Sequence, residues 1–177
     1  MITLVKPGRK AITIFSGLLL AGFAILFSAA TIKRNADFSG EWKFNESKSK
    51  LGEGRFRMAP QTLKVTQDAA TSVSIERNST TPNGDNVSST EKLTFDGKEA
   101  ESTVFGNSKK KSTASWSSDG NAMTIQSTIF FERDGNTFEI KVTEVWKLTD
   151  GGKTLTIDYT SVSQRGTNNQ TFVYDKN

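Results

Sequence analysis

From Phe38 to the end of the chain, apolar and polar residues alternate in short runs, and no useful length carries helical spacing. Four Asp-Gly dipeptides, at Asp96, Asp119, Asp134 and Asp150, punctuate these runs, and such dipeptides between alternating segments mark hairpins. The pattern predicts ten strands, near 38–45, 61–67, 72–78, 88–95, 98–105, 109–117, 121–132, 136–149, 153–163 and 168–175. Pro7, Pro60 and Pro82 all fall outside them. Successive strands joined by tight turns predict an all-β fold, a single antiparallel up-and-down β-barrel of about ten strands.

Register follows from the turns, because a slip of one residue would turn every side chain to the wrong face. The Asp134–Gly135 turn sets Phe131 opposite Phe138, Ile129 opposite Ile140 and Met123 opposite Trp146. The turn at Asp150 to Lys153 sets Leu148 opposite Leu155, and Asp119–Gly120 sets Trp116 opposite Met123. A turn centred on Arg165–Gly166 would set Tyr159 opposite Phe172 and Ile157 opposite Tyr174.

These pairings stack the interior in rows. Trp116, Met123, Trp146, Ile157 and Tyr174 form a floor, which Trp42 joins when the first and last strands pair. Gly40, two residues earlier, lets backbone pass close to the Trp42 ring. The next row reads Ala114, Ile125, Glu144, Tyr159, Phe172, and the one after it Ser112, Ser127, Val142, Ser161, Gln170. Small polar residues facing inward leave a level for water or a ligand, unless the barrel is flattened there. The expected ligand-binding residues are therefore Ser112, Ser127, Val142, Glu144, Tyr159, Ser161, Gln170, Phe172 and Tyr174.

Composition changes the picture at the front of the chain. Lys6, Arg9 and Lys10 precede an uncharged run from Ala11 to Ile32, and Ser28 and Ala30 stand before a cleavage point ahead of Thr31. This is the layout of a signal peptide over residues 1–30, leaving a barrel domain over 31–177. The alternative is an uncleaved anchor, since the apolar run nearly reaches the length of a spanning helix. Either way the domain is expected outside the cytoplasm, secreted or periplasmic, touching a membrane only through an uncleaved N-terminus. The formal net charge is +4, and three of those surplus positive charges lie in residues 1–30, which hold no acid. Residues 31–177 thus carry +1, which removes the electrostatic footprint of a nucleic-acid binder. The lack of disulfides in an exported chain points to a bacterial envelope.

The chain has no His and no Cys. Imidazole- or thiolate-based triads and metal sites are thereby excluded, and no cofactor is expected. Carboxylate chemistry rests on Glu144 beside Tyr159, with Glu91 also inward; the simpler reading holds Glu144 by hydrogen bonds from Tyr159, water or Arg77 across the barrel. Lys109 to Lys111 read as cations that guard a strand end.

The run Phe38-Ser-Gly-Glu-Trp-Lys-Phe44, the Asp-Gly hairpins and the closing Thr171-Phe-Val-Tyr-Asp-Lys176 resemble the calycin superfamily. Within it the likeness is to fatty-acid-binding proteins and lipocalin-like bacterial domains. The resemblance implies a ten-stranded barrel, a cavity for a small lipophilic ligand and a helical lid after the first strand. It also implies an Arg-x-Tyr grip on a ligand carboxylate; Tyr174 matches the Tyr, but Phe172 stands at the Arg position. The lid is short, with Asn45 a candidate N-cap and Gly52 a stop, so one or two helical turns are expected.

Two functions compete on this evidence: a non-catalytic, monomeric carrier of a lipophilic molecule, and a structural or protein-interaction barrel with a packed interior. An enzyme ranks third. Intact-mass measurement of the protein from an expressing cell should give a soluble chain beginning at or near Thr31. A full-length chain in the membrane fraction would establish the anchor instead.

Overall fold

The computed structural model describes residues 35–52, 59–68, 71–81, 84–105, 108–133 and 135–177. The signal segment and its cleavage point, lid residues 53–58, and the turn positions Pro82, Gly106 and Asp134 lie outside the described residues.

Ten strands follow one another: β1 (Gly40–Phe44), β2 (Thr62–Asp68), β3 (Ser72–Thr80), β4 (Asn86–Thr94), β5 (Ala100–Val104), β6 (Ser108–Trp116), β7 (Ala122–Arg133), β8 (Asn136–Thr149), β9 (Thr154–Ser163) and β10 (Gly166–Lys176). They form one antiparallel sheet in the order β4-β3-β2-β1-β10-β9-β8-β7-β6-β5. The first and last strands are neighbours, and the sheet curls into a nearly closed barrel whose unpaired edges, among the described residues, are β4 and β5. The expected all-β up-and-down barrel is therefore the observed fold.

Alternation sets the inward face. Leu63 and Val65 on β2, Val73 and Ile75 on β3, and Met123, Ile125 and Ile129 on β7 are buried in one core. The pairings expected from the turns at Asp119, Asp134 and Asp150 are all present: Trp116 with Met123, Met123 with Trp146, Ile129 with Ile140, Phe131 with Phe138, and Leu148 with Leu155.

The β9–β10 register is a correction. Gly166 pairs with Ser163, so the loop is Gln164–Arg165 and not Arg165–Gly166. The Ser163 hydroxyl accepts the Arg165 amide at 3.2 Å and tightens the loop. Gly166 takes φ 113° at the first position of β10, a conformation that favours glycine. The slip is two residues, so the inward face is kept and each row moves along β10. Ile157 faces Phe172, Tyr159 faces Gln170 and Ser161 faces Asn168. The floor row thus ends at Phe172, while Tyr174 pairs with Leu155 on one side and Phe44 on the other.

Residues 36–38 seal the floor. The Ala36 amide donates to the Gly120 carbonyl at 2.8 Å, and the Gln67 side chain accepts from the Phe38 amide and donates to the Ala36 carbonyl. This places Phe38 on the aromatic end of the barrel, stacked on Trp116 at 5.8 Å and edge-on to Trp146 at 5.9 Å. Trp42 is buried and donates its indole N–H to the Phe38 carbonyl at 2.9 Å. The close approach at Gly40 proves to be with Lys176: a Cβ there would lie 2.9 Å from Lys176 Cε. The Lys176 ammonium in turn lies 5.2 Å from the centre of the Trp42 ring.

The lid begins as expected but does not stand clear of the sheet. Asn45 caps one 3-10 turn, Glu46–Lys48, by accepting the Lys48 amide. The chain then runs beside β10, with Lys50 and Thr171 exchanging both backbone bonds at 2.8 Å. It extends the short β1, and Lys48 pairs with Asp175 at 2.9 Å.

Phe38→Ala and Trp42→Ala should each lower stability by roughly 3–5 kcal/mol, the cost of removing a large buried aromatic. Urea midpoints measure it. A midpoint near wild type for either variant would show that the floor is not packed around that ring.

Candidate functional site

Above the floor, alternation turns four charged side chains inward from four strands. Arg77 comes from β3, Glu91 from β4, Lys110 from β6 and Glu144 from β8. All four side chains are largely shielded from solvent. Arg77 lies between the two carboxylates: Nη1 donates to Glu91 and Nη2 to Glu144 at 2.8 Å. The Lys110 ammonium donates to Glu91 at 2.9 Å, and the Ser112 hydroxyl donates to the same carboxylate at 3.2 Å. Glu144 also accepts the Trp146 indole N–H at 2.9 Å. The Arg77 guanidinium sits 5.8 Å from the Trp146 ring centre, on the floor's upper surface.

The electrostatics follow from this pairing. Burial alone would raise the Glu91 pKa, but the charges of Arg77 and Lys110 outweigh it and pull it down to about 2. Burial alone would lower the Arg77 pKa, but Glu144 and Glu91 overcome it, and the guanidinium holds its proton more firmly than usual. The Tyr159 hydroxyl is pushed up to about 12, by burial first and the nearby Glu144 charge second. Burial likewise raises the Tyr174 hydroxyl, which donates to the Pro60 carbonyl at 3.1 Å.

A cavity of about 650 Å³ opens beside this cluster. Leu63, Ile129, Val142, Ile157 and Phe172 give it an apolar wall. Arg77, Lys110, Glu144, Tyr159 and Tyr174 supply charged and phenolic groups, and Ser79, Thr80, Thr81, Ser88, Ser89 and Thr103 also line it. Val87 and Phe105 line it from exposed positions and mark its mouth. Phe105 holds φ 50° and stacks against Phe131 at 6.0 Å.

Of the residues expected from the sequence, Val142, Glu144, Tyr159, Phe172 and Tyr174 come together on the cavity wall. Ser112 and Ser127 are buried beside it, with their hydroxyls 2.9 Å apart and Ser112 bonded to Glu91. The level they were expected to leave for a ligand is thus filled in part by the protein's own carboxylate. Ser161 is half-buried, two residues from Tyr159 on β9. Gln170 is buried; its Nε2 donates to the Leu51 carbonyl, and its Oε1 has no partner among the described residues.

Lys110 corrects the reading of Lys109 to Lys111 as a solvent-facing guard. Lys109 is exposed and Lys111 pairs with Glu99 and Glu101, but Lys110 points into the barrel. The signal for it was present: it lies two residues from Ser112 on the same strand, and therefore on the same face. Val87 shares the face of Glu91 four residues along β4, but the strand expected from residue 88 left it out, and Phe105 follows the end of β5, where alternation no longer assigns a face.

The depressed Glu91 pKa makes a pH prediction. A carboxylate whose folded pKa lies below its ordinary value of 4.5 contributes stability that is fully present above pH 4.5. That contribution is lost as pH falls from 4.5 through the folded value of about 2. Chemical denaturation across this window should show a steep acid loss in wild type. Glu91→Gln should flatten the loss while lowering stability near neutrality by roughly 3–5 kcal/mol, as Arg77 and Lys110 lose a buried partner. An unchanged acid limb in the variant would remove Glu91 as its source.

No protein-family model and no curated protein matches the chain. Solved structures similar to it include the zebrafish ileal bile acid-binding protein complexed with cholic acid. That pair shares 17% identity and a TM-score of 0.49, over 79% of this chain and 98% of that one. The fluorescent protein UnaG is similar at 19% identity and a TM-score of 0.49, over 79% of this chain and 97% of its own. The barrel is a ten-stranded antiparallel meander whose first and last strands, β1 and β10, are paired.

Proposed function

We infer that the protein is an exported, non-catalytic carrier of a small lipophilic molecule, acting as a monomer. The observation that carries this reading is the cavity of about 650 Å³, walled on one side by apolar side chains and open to solvent at Val87 and Phe105. Its size is that of pockets which enclose drug-sized ligands. Burial of each 100 Å² of ligand apolar surface contributes about 2.5 kcal/mol, so a modest hydrophobe reaches roughly micromolar affinity even after association costs. The basic start and apolar run of residues 1–30 support export.

The non-catalytic part of the reading rests on protonation. Against the effect of burial, Arg77 and Lys110 pull Glu91 down to about 2, and burial pushes the Tyr159 hydroxyl up to about 12. Both lie away from the range in which a general acid or base works, while Glu144 is tied to Arg77 and the Trp146 indole N–H. Arg77 is held still more firmly in its charged form.

The packed-barrel alternative draws on the same ion cluster, which fills part of the interior with the protein's own side chains. A neutral fluorescent probe, N-phenyl-1-naphthylamine, separates the two. Its emission should rise on titration with wild type. Val142→Phe, which projects a larger ring into the cavity, should weaken binding at least tenfold while leaving the urea midpoint within error. A packed interior would give no probe binding and a midpoint lowered by about 1–3 kcal/mol of overpacking. Native mass spectrometry of the purified protein should find a co-purifying small molecule.

A further inference from the structure

We propose that the carried molecule is an uncharged lipophile with a hydrogen-bonding head, and that organic anions are excluded by the barrel's own glutamates; this rests on the carrier reading above.

The cavity's charged groups come from Arg77, Lys110 and Glu144, with Glu91 directly behind them. Two cations face two carboxylates, so the cluster sums to zero. More important, each charge already has its partner. A carboxylate or sulfonate entering the cavity would seek the guanidinium, but one Nη of Arg77 is held by Glu91 and the other by Glu144. It would seek the ammonium, but Lys110 is held by Glu91. Arg77 and Lys110 keep further N–H donors, but an anion sharing them would set three negative charges against two positive ones in a shielded site, or would have to displace a glutamate into a buried, unpaired position. Glu144 thus occupies the place that a ligand's carboxylate would need. Nor does Tyr174 help an anion, since its single hydroxyl proton is donated to the Pro60 carbonyl.

A neutral head meets no such obstacle. The Tyr159 hydroxyl lies on the cavity wall opposite Glu144 in register and offers a hydrogen-bonding partner without net charge. Burying a neutral hydroxyl or carbonyl is affordable where one hydrogen bond replaces the one lost to water, whereas burying an ion is not. The selectivity therefore comes from removing the reward for an anion, not from blocking its path.

A matched pair of probes tests this on the full chain. N-phenyl-1-naphthylamine and 8-anilinonaphthalene-1-sulfonate share their ring skeleton and differ by one sulfonate. Titrated at pH 7.4, wild type should bind the neutral probe at least tenfold more tightly. Glu144→Gln releases one arm of Arg77 and leaves the cluster at +1, so the sulfonate probe should gain at least tenfold in affinity relative to the neutral one. Equal or tighter binding of the sulfonate by wild type would overturn the proposal and leave the carrier function standing, as would a folded Glu144→Gln with no change in preference. Binding of neither probe by wild type would remove the carrier function and the proposal with it. If Glu144→Gln fails to fold by circular dichroism, the wild-type ratio alone decides.

Discussion

The position of Arg77 between Glu91 and Glu144 is the constraint on which the barrel depends. The sheet's backbone ladder ends at β4 on one side and β5 on the other, so hydrogen bonds between strands do not complete the circle. Side chains complete it. Glu91 on β4 receives Lys110 and Ser112 from β6, while Arg77 ties β3 to Glu144 on β8, on the opposite wall. Such a cluster adds little net stability, because desolvating four ions nearly cancels their attraction. Its effect is on which structure forms: any closure that left one member out would bury an unpaired charge. The cluster therefore selects one width and one register for the seam.

The interior is organised around that layer. Below it, the buried Phe38, Trp42 and Trp146 and the half-buried Trp116 close one end as an aromatic plug. Above it, the walls separate into the cavity that opens at Val87 and Phe105. Arg77, Lys110 and Glu144 bound the binding space with Glu91 behind them, and the Trp146 indole N–H bonded to Glu144 joins this layer to the plug.

Much of this was legible in the sequence because alternation and turn chemistry are local. Asp119, Asp134 and Asp150 each specify a turn, and each turn fixes the faces of two strands, so the inward positions of Trp116, Met123, Trp146 and Glu144 followed. The β9–β10 turn failed by two residues because a glycine's positive φ can serve inside a loop or just after it, and Gly166 serves after it. Side-chain reach was harder to read. The bond from Arg77 to Glu144 joins strands that share no edge, and Arg77 stood in the sequence only as one of several donors open to Glu144. Lys110 was hidden by its neighbours, since three adjacent lysines suggest a solvated face although alternation must turn the middle one the other way. Phe38 lies ahead of the β1 ladder, and only the bonds of Ala36 and Gln67 show that it turns into the barrel.

The pairing of β1 with β10 carries a kinetic and an optical consequence. The hairpins from β6 to β10 form between near neighbours in sequence, whereas Trp42 must meet Lys176 across most of the domain. Closing that pair costs the largest loop entropy in the fold and belongs late in its assembly. All three tryptophans of the chain, Trp42, Trp116 and Trp146, stand at the end that this closure completes, and none lines the cavity. Intrinsic fluorescence excited at the indole band consequently reports on the end of the barrel that this closure completes, and Trp146 alone reaches toward the ligand space, through its bond to Glu144.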